Sequence, residues 1–369
     1  MEQVMEPTLA LSRDAAGSAD ARVVQPRPRI LDDKTMLRTA AELTRDLNTP
    51  NRTFYWGDLI GSAVLGYGAL VVAVLASSTL VTVLAAVVSV LALYRALLFI
   101  HEVSHMKHSA LPGFRLGWNL IAGIPMLVPS FMYEGVHNLH HAKTRYGTAD
   151  DPEYLPLALM KPWTLPVFIL VSLLAPIGLL IRFAILSPLS WLSPKLRDLV
   201  IARYSSLSIN PSFRRRVPAG EQRVLFDRLD AAASVWAIAL VALVATGVIP
   251  MRGFLIGLGI GSAVALLNQV RTLVAHLWEN EGEQMTVTAQ YLDSVNVPPP
   301  SLLPGLWAPV GLRYHALHHL LPSLPYHSLG EAHRRLSAVL EEGSPYHKAS
   351  YRSALGLMHR IGKSTMVRR

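Results

Sequence analysis

Histidine is the residue type in which this chain concentrates its reactive side chains. Eight of its 14 histidines fall into three short clusters: His101 and His105; His137, His140 and His141; and His315, His318 and His319. On a helix, side chains three or four residues apart share a face, so each cluster can direct at least two imidazole rings at one point. Neutral imidazole is a common metal ligand. The clusters therefore predict a metal site.

The number of imidazoles predicts two metal ions rather than one. The second and third clusters repeat one spacing, in which the last histidine is turned slightly away, so each can supply two neighbouring ions. A single zinc ion is saturated by about four protein ligands. The chain contains no cysteine, which excludes disulfides, thiolate-bound zinc and cysteine-bound iron–sulfur clusters.

Ligand type alone does not identify the metal, because imidazole binds iron, copper, zinc and nickel. The clusters lie beside apolar segments, and no hydrolytic nucleophile is evident, a setting suited to oxygen activation. We therefore expect two iron ions, dioxygen as co-substrate, and oxidation of an unactivated C–H bond in a lipid-like substrate.

A membrane-embedded helical framework must position these ligands. Hydrophobic residues make up 51% of the chain and charged residues only 16%, whereas about a quarter is the usual charged fraction. The apolar stretches 59–100 and 231–275 are each long enough for two helices of about 20 residues. We predict an all-α membrane protein with four transmembrane helices in two hairpins, at about residues 59–77, 79–100, 231–249 and 253–275.

Two further apolar segments are predicted to stay on one side of the membrane. If residues 165–186 crossed it, the second and third histidine clusters would face opposite sides and could not form one site. We expect this segment to lie in the interface or to dip in and return. Residues 117–131, interrupted by Pro125 and Pro129, are predicted to form a re-entrant or surface element.

Charge predicts the orientation. The chain has 34 Lys and Arg against 25 Asp and Glu, and such an excess in a membrane protein is typical of loops held in the cytoplasm. We expect a protein of the cytoplasmic membrane, with its termini and metal site on the cytoplasmic side and no nucleic-acid partner. Residues 1–50 are predicted to be a mobile N-terminal segment without a signal peptide, residues 51–340 the membrane domain, and residues 341–369 a basic tail.

The three clusters resemble the histidine boxes of the integral-membrane fatty acid desaturase superfamily. The boxes read His-Glu-Val-Ser-His from His101, His-Asn-Leu-His-His from His137 and His-Ala-Leu-His-His from His315, the last followed by Leu-Leu-Pro-Ser-Leu-Pro. The resemblance implies four spans with a cytosolic cap that carries the boxes, a di-iron centre, and dioxygen-dependent desaturation of a fatty acyl chain or related lipid. It also implies a further histidine ligand after the fourth span, a position that His276 occupies.

The same resemblance implies that electrons come from a separate redox protein. The chain contains no haem-binding element, dinucleotide fingerprint or cysteine set of its own. A ferredoxin-like protein or another small redox protein, together with its reductase, would supply these electrons. The basic cytoplasmic surface could steer an acidic partner of this kind, or could equally attract anionic lipid headgroups.

Three alternatives remain open. Glu102, after the first histidine, is similar to the pattern of membrane alkane hydroxylases, so hydroxylation of a lipid, alkane or carotenoid is the main alternative. The pentad from His101 to His105 also matches His-Glu-X-X-His, in which Glu102 would be the general base of a membrane zinc protease, but the other two clusters would then have no role. A metal transporter would need ligands within the bilayer rather than at the ends of the spans.

Several polar residues near the clusters are candidate auxiliary groups, each with a structural alternative. These are His108, as an added ligand or a group supporting one; Asn268, as an indirect ligand through water or an interhelical hydrogen-bonding group; and Asp150 and Asp151, as acceptors for imidazole N–H groups or as solvated loop acids. His333, His347 and His359 are expected to be structural or surface residues.

Overall fold

The computed structural model describes residues 29–301 and 303–366, and within these residues all regular secondary structure is helical. The α-helices are α1 (Lys34–Leu43), α2 (Arg52–Leu75), α3 (Thr79–His105), α4 (Phe114–Trp118), α5 (His137–His140), α6 (Thr164–Leu170), α7 (Ala175–Ile181), α8 (Ser187–Ser190), α9 (Pro194–Tyr204), α10 (Gly220–Ala245), α11 (Met251–Leu273), α12 (Val287–Asp293), α13 (Pro304–Trp307), α14 (His315–Leu320), α15 (Leu329–Val339) and α16 (Ala354–Met366). Short 3-10 or π-helical turns occur at Arg45–Leu47, Asn119–Gly123, Ser130–Met132, Leu157–Leu159, Val171–Leu174, Arg182–Leu186, Tyr326–Ser328 and Pro345–Ala349.

Five helical runs in the described part of the chain are long and apolar enough to cross a membrane. They are Arg52–Leu75, Thr79–His105, Thr164–Ser190, Gly220–Ala245 and Met251–Leu273. Four of them overlap the spans predicted from the sequence. Large aliphatic side chains such as Val64, Leu84 and Val235 are exposed along these helices, as expected for surfaces that contact lipid rather than water.

Close packing fixes the depth of α3 against α2. A Cβ atom at Gly66 would lie 2.7 Å from the side chain of Leu93, so only glycine allows this approach. Ser89 donates a 2.9 Å hydrogen bond to the Gly66 carbonyl, and Arg95 forms a 2.5 Å ion pair with Asp58. These contacts determine where the histidine-bearing end of α3 lies.

The fifth apolar run, Thr164–Ser190, is broken into short α, 3-10 and π segments and packs along α11. Near its start, Gln269 donates a 2.8 Å hydrogen bond to the carbonyl of Phe168. Five residues further on, Ser262 donates a 2.8 Å hydrogen bond to the carbonyl of Leu173. The run therefore descends beside α11, from the end that leads to His276 towards the middle of that helix.

The end of this run is tied to α10 by a buried charge network. Arg182 and Arg197 bind opposite oxygens of Asp230 at 2.9 and 2.5 Å. Ser187 donates to the same carboxylate at 2.5 Å, and Asp230 itself is fully buried. Asp230 lies where the polar first turns of α10 give way to its apolar stretch. Both ends of Thr164–Ser190 are thus anchored near the boundaries of the neighbouring apolar helices.

The segment that follows α3 folds back into the protein. Trp118 is fully buried and donates a 2.9 Å hydrogen bond to the Ala96 carbonyl of α3. Asn119 is buried and bonds Ser130 through both its amide nitrogen and its amide oxygen. Residues 117–131, predicted to be re-entrant or superficial, therefore form a compact series of short turns that leads from the first histidine cluster to the second.

The segments predicted as termini contain packed helices. In α1, which Asp33 caps, Met36 and Ala40 are fully buried and pack in a core with α15. Residues 1–28 of the predicted mobile segment lie outside the described residues. In the predicted basic tail, Leu357 and Ile361 of α16 are buried.

Candidate metal centre

The first cluster lies on the last turn of α3, which continues five residues beyond the predicted span end at residue 100. His101 is 3% exposed and His105 is half-buried. The second and third clusters are carried by the short helices α5 and α14. At α14, Asn296 accepts a 3.0 Å hydrogen bond from the Leu317 backbone nitrogen, which anchors the third cluster to the preceding loop.

The nine histidines come together in two groups, in each of which one potential ligand atom per residue lies within 4.8 Å of all the others. The first group, group one, contains His101, His105, His137, His141 and His318. The second, group two, contains His140, His276, His315 and His319. Residues far apart in the sequence thus converge at one place, and His276, just after α11, belongs to the second group.

The spacing of the ring nitrogens suits metal ions. In group one, Nε2 of His318 lies 3.1 Å from Nε2 of His105 and 3.2 Å from that of His141. In group two, Nε2 of His315 lies 3.1 Å from that of His276 and 3.2 Å from that of His319. Metal–nitrogen distances of about 2.1 Å with angles near 90° separate neighbouring ligand nitrogens by about 3 Å. The separations between these nitrogens therefore match those between neighbouring ligands of one metal ion.

Adjacent histidines are divided between the groups. His140 belongs to group two and His141 to group one, and His318 and His319 are divided in the same way. The helical rotation of about 100° per residue turns neighbouring rings in different directions. The repeated spacing of the second and third boxes therefore serves both groups at once.

Acceptors outside the groups hold three of the rings through Nδ1. His137 Nδ1 lies 2.9 Å from Glu153, and His140 Nδ1 lies 2.9 Å from Asp151. His276 Nδ1 lies 2.9 Å from the hydroxyl of Tyr146. A bond at Nδ1 fixes the tautomer and leaves the Nε2 lone pair for a metal.

Burial keeps most of these rings neutral, as metal ligands must be. It lowers the pKa of His137, His141 and His318 well below the ordinary value. For His140, burial also opposes the charged ring, but the adjacent Asp151 carboxylate prevails and raises the pKa. Burial raises the pKa of the Glu153 carboxyl to about 7.

The candidate auxiliary residues occupy different positions. Asp151 is fully buried, and its carboxylate also accepts hydrogen bonds from the backbone nitrogens of Gly147 and Glu153, both at 2.8 Å. Asp150, its neighbour, is exposed, and its backbone nitrogen bonds Thr148.

His108 and Asn268 lie outside both groups. The side chain of His108 is 68% exposed and lies 2.8 Å from Arg115. Asn268 is half-buried on α11, where its oxygen accepts a 3.3 Å hydrogen bond from Arg271.

Glu102 is buried and bonds side chains and backbone outside the histidine groups. Its carboxylate accepts a hydrogen bond from the Tyr55 hydroxyl and another, at 3.1 Å, from the Tyr326 backbone nitrogen. It connects α2, α3 and the segment after the third box. Its carboxylate oxygen Oε1 lies 3.7 Å from Nδ1 of His101, which is beyond hydrogen-bonding distance.

Sequence reasoning did not select Glu153, Tyr133 or Tyr146. Tyr133 stacks on His137 with ring centroids 4.5 Å apart and donates a 2.8 Å hydrogen bond to Glu153. Tyr146 donates a 2.8 Å hydrogen bond to Asp293. The acidic run from Asp150 to Glu153 was the available signal for Glu153, whereas the contacts of Tyr146 depend on residues more than a hundred positions away.

The chain is similar to known proteins over most of its length. The sequence model of a family described as fatty acid desaturase matches residues 39–350, a range that contains all nine clustered histidines. A ceramide hydroxylase from Caulobacter vibrioides (strain NA1000 / CB15N) is 51% identical over 318 residues, which cover 86% of this chain and 90% of the relative.

Proposed function

Because this chain belongs to the fatty acid desaturase family of membrane di-iron oxidoreductases, we propose that it hydroxylates a hydrocarbon chain of a ceramide-like lipid. The observation that carries the proposal is the convergence of nine histidines in two groups, in a chain that is 51% identical to a ceramide hydroxylase. That relative favours the hydroxylase alternative over the desaturase function expected first from the sequence.

Group one and group two would each hold one iron ion. Their ring nitrogens have the spacing of ligands, and burial favours the neutral rings that a metal requires. Bound iron would supply activation of dioxygen, chemistry that amino acid side chains alone cannot perform. Hydroxylation places one oxygen atom of dioxygen in the C–H bond and releases the other as water, which requires electrons and protons from outside.

The surrounding residues would orient the ligands. Asp151, Glu153 and Tyr146 hold the rings of His140, His137 and His276 respectively through Nδ1. Such partners increase ligand basicity and limit ring rotation. In this proposal Glu102 ties α3 to Tyr55 and Tyr326, a structural role that contrasts with the general base of a zinc protease.

We further propose four membrane crossings, with the histidines in a cytosolic cap. The convergence of the second and third boxes requires an even number of crossings between them. Thr164–Ser190 satisfies this requirement if it dips beside α11 and returns, and its anchors at Gln269 and Asp230 support that path. The basic residues between this run and α10 favour the cytoplasmic side.

A separate one-electron carrier would deliver the electrons, and a membrane lipid would be the substrate. The decisive experiment is co-expression with a ferredoxin and its reductase in cells that contain ceramides, followed by mass spectrometry of the lipids. The proposal expects ceramides that have gained one oxygen atom, and no such product with the His318→Ala variant. Ceramides that have instead lost two hydrogens would establish desaturation.

A further inference from the structure

Arg271 is a buried cation that has no carboxylate partner within 4.0 Å among the described residues. It lies two residues before Leu273, the last residue of α11, and is only 8% exposed. One terminal nitrogen makes a long, 3.3 Å hydrogen bond to Asn268, and Nε is buried with no hydrogen-bond partner. A buried charge without compensation is costly, so its presence calls for a further partner.

Other buried arginines of this protein differ in this respect. Arg182 and Arg197 are each 3% exposed, and both bind the carboxylate of Asp230. Each of them also has one buried nitrogen without a hydrogen-bond partner, so the difference from Arg271 is that their charge is balanced by a carboxylate. Arg271 has only neutral partners, the amide of Asn268 and the hydroxyl of Tyr94.

Arg271 lies five residues before His276, near the end of α11, and α11 packs against α3. Burial lowers the pKa of His276 and His315 well below the ordinary value, and the positive charge of Arg271 contributes to the effect on both. Arg271 also neighbours the hydroxyl of Tyr94, which lies seven residues before His101 on α3. Arg271 is therefore near the ligand-bearing ends of both α3 and α11.

We propose that Arg271 binds an oxygen atom in the polar part of the lipid substrate and so determines which carbon faces the metal centre. This inference rests on the proposed function. The amide carbonyl and hydroxyl oxygens of a ceramide accept hydrogen bonds from a guanidinium, whereas a hydrocarbon chain offers no acceptor. The carbon that is hydroxylated then lies within a few bonds of the polar group, rather than far along a chain.

The test compares the iron-loaded wild-type enzyme with Arg271→Met and Arg271→Lys in nanodiscs. The probes are a ceramide and an alkane of the same chain length. Since Arg271 belongs to neither histidine group, iron per chain should be unchanged. Arg271→Met should weaken ceramide binding by about 10- to 100-fold, as expected for a hydrogen bond to a charged group, and leave alkane binding unaltered. Arg271→Lys should restore part of the affinity.

Arg252→Met is the matched control, because it removes a guanidinium from the other end of the same helix, where it bonds backbone carbonyls. It should bind ceramide like the wild type. A second readout is the position of the new hydroxyl, which should be near the polar group in the wild-type product and scattered in the Arg271→Met product.

The outcomes separate this inference from the proposed function. Hydroxylated ceramide with equal affinities for wild type and both Arg271 variants would overturn the inference alone. Ceramide binding that depends on Arg271 but yields a desaturated product would overturn hydroxylation alone. If the wild-type enzyme binds the alkane as tightly as the ceramide, the inference fails even where the variants do not fold.

Discussion

Nδ1 of His140 lies 2.9 Å from the carboxylate of the fully buried Asp151. This contact holds the ring so that Nε2 is free for group two. Replacing Asp151 by Asn should weaken iron binding by about 10- to 100-fold, because the ring loses its anionic partner. Iron per chain, measured by elemental analysis after dialysis against a chelator, checks this. Asp150→Asn alters the exposed neighbour and should retain the wild-type iron content.

Removal of a ligand should have a larger effect than removal of its partner. His318 lies within 3.2 Å of two other ring nitrogens of group one, so His318→Ala should abolish lipid oxidation and reduce bound iron while the protein still inserts into the membrane. The matched control is His108→Ala, whose side chain is 68% exposed and lies outside both groups. A fully active His318→Ala enzyme would contradict the proposed ligand set.

Glu102→Gln distinguishes a structural glutamate from a catalytic base. A Gln side chain still has one oxygen to accept a hydrogen bond from Tyr55 or Tyr326, so we expect a loss of activity of about tenfold, with both irons retained. Rates of lipid oxidation and metal content are the measurements. Complete loss of turnover in a protein that contains one zinc per chain would instead favour the protease interpretation.

The buried network around Asp230 should be important for stability. Asp230→Ala leaves Arg182 and Arg197 without their shared carboxylate and should lower the free energy of unfolding by about 3–5 kcal/mol. Asp227→Ala removes the more exposed partner of Arg197, and the loss there should be about 1 kcal/mol or less. Denaturant unfolding in detergent compares the two. Equal losses would show that the network does not depend on Asp230.

His333 predicts a dependence of stability on pH. Burial lowers its pKa to about 4, and its Nδ1 lies 2.8 Å from the Tyr346 hydroxyl. Because the unfolded chain binds this proton near pH 6.5, the unfolded state is favoured increasingly as the pH falls from about 6.5 to about 4. In the His333→Asn variant, Tm should therefore decline less steeply over this window. Above pH 7 the substitution should not change the dependence of Tm on pH. An unchanged Tm profile would rule out this contribution.

Much of the centre could be predicted from the sequence because helical spacing is a local property. The three clusters required only the periodicity of α3, α5 and α14, and the family resemblance is confirmed by the match over residues 39–350. The sequence does not indicate which of Asp150 and Asp151 accepts an imidazole N–H group, since the two acids are adjacent and only the folded loop directs one of them inward. Tyr146 was missed because its partners His276 and Asp293 are brought to it by tertiary structure alone.

Composition alone leaves two other parts of the fold undetermined. Hydropathy does not distinguish a crossing helix from one that enters and returns, so Thr164–Ser190 has the composition of a span whatever its path. In α1, polar composition favoured a mobile segment. In the folded protein Met36 and Ala40 are fully buried, and Leu37 and Leu43 pack against the same core.

The division of adjacent histidines between the groups has a consequence for assembly. His140 and His141 are joined by one peptide bond but belong to different groups, and the same holds for His318 and His319. An ion bound by one group would restrain the backbone that carries ligands of the other group. The second ion would then cost less conformational entropy when it binds. Loading of the two groups would then be cooperative, and singly loaded chains would be scarce during titration with iron.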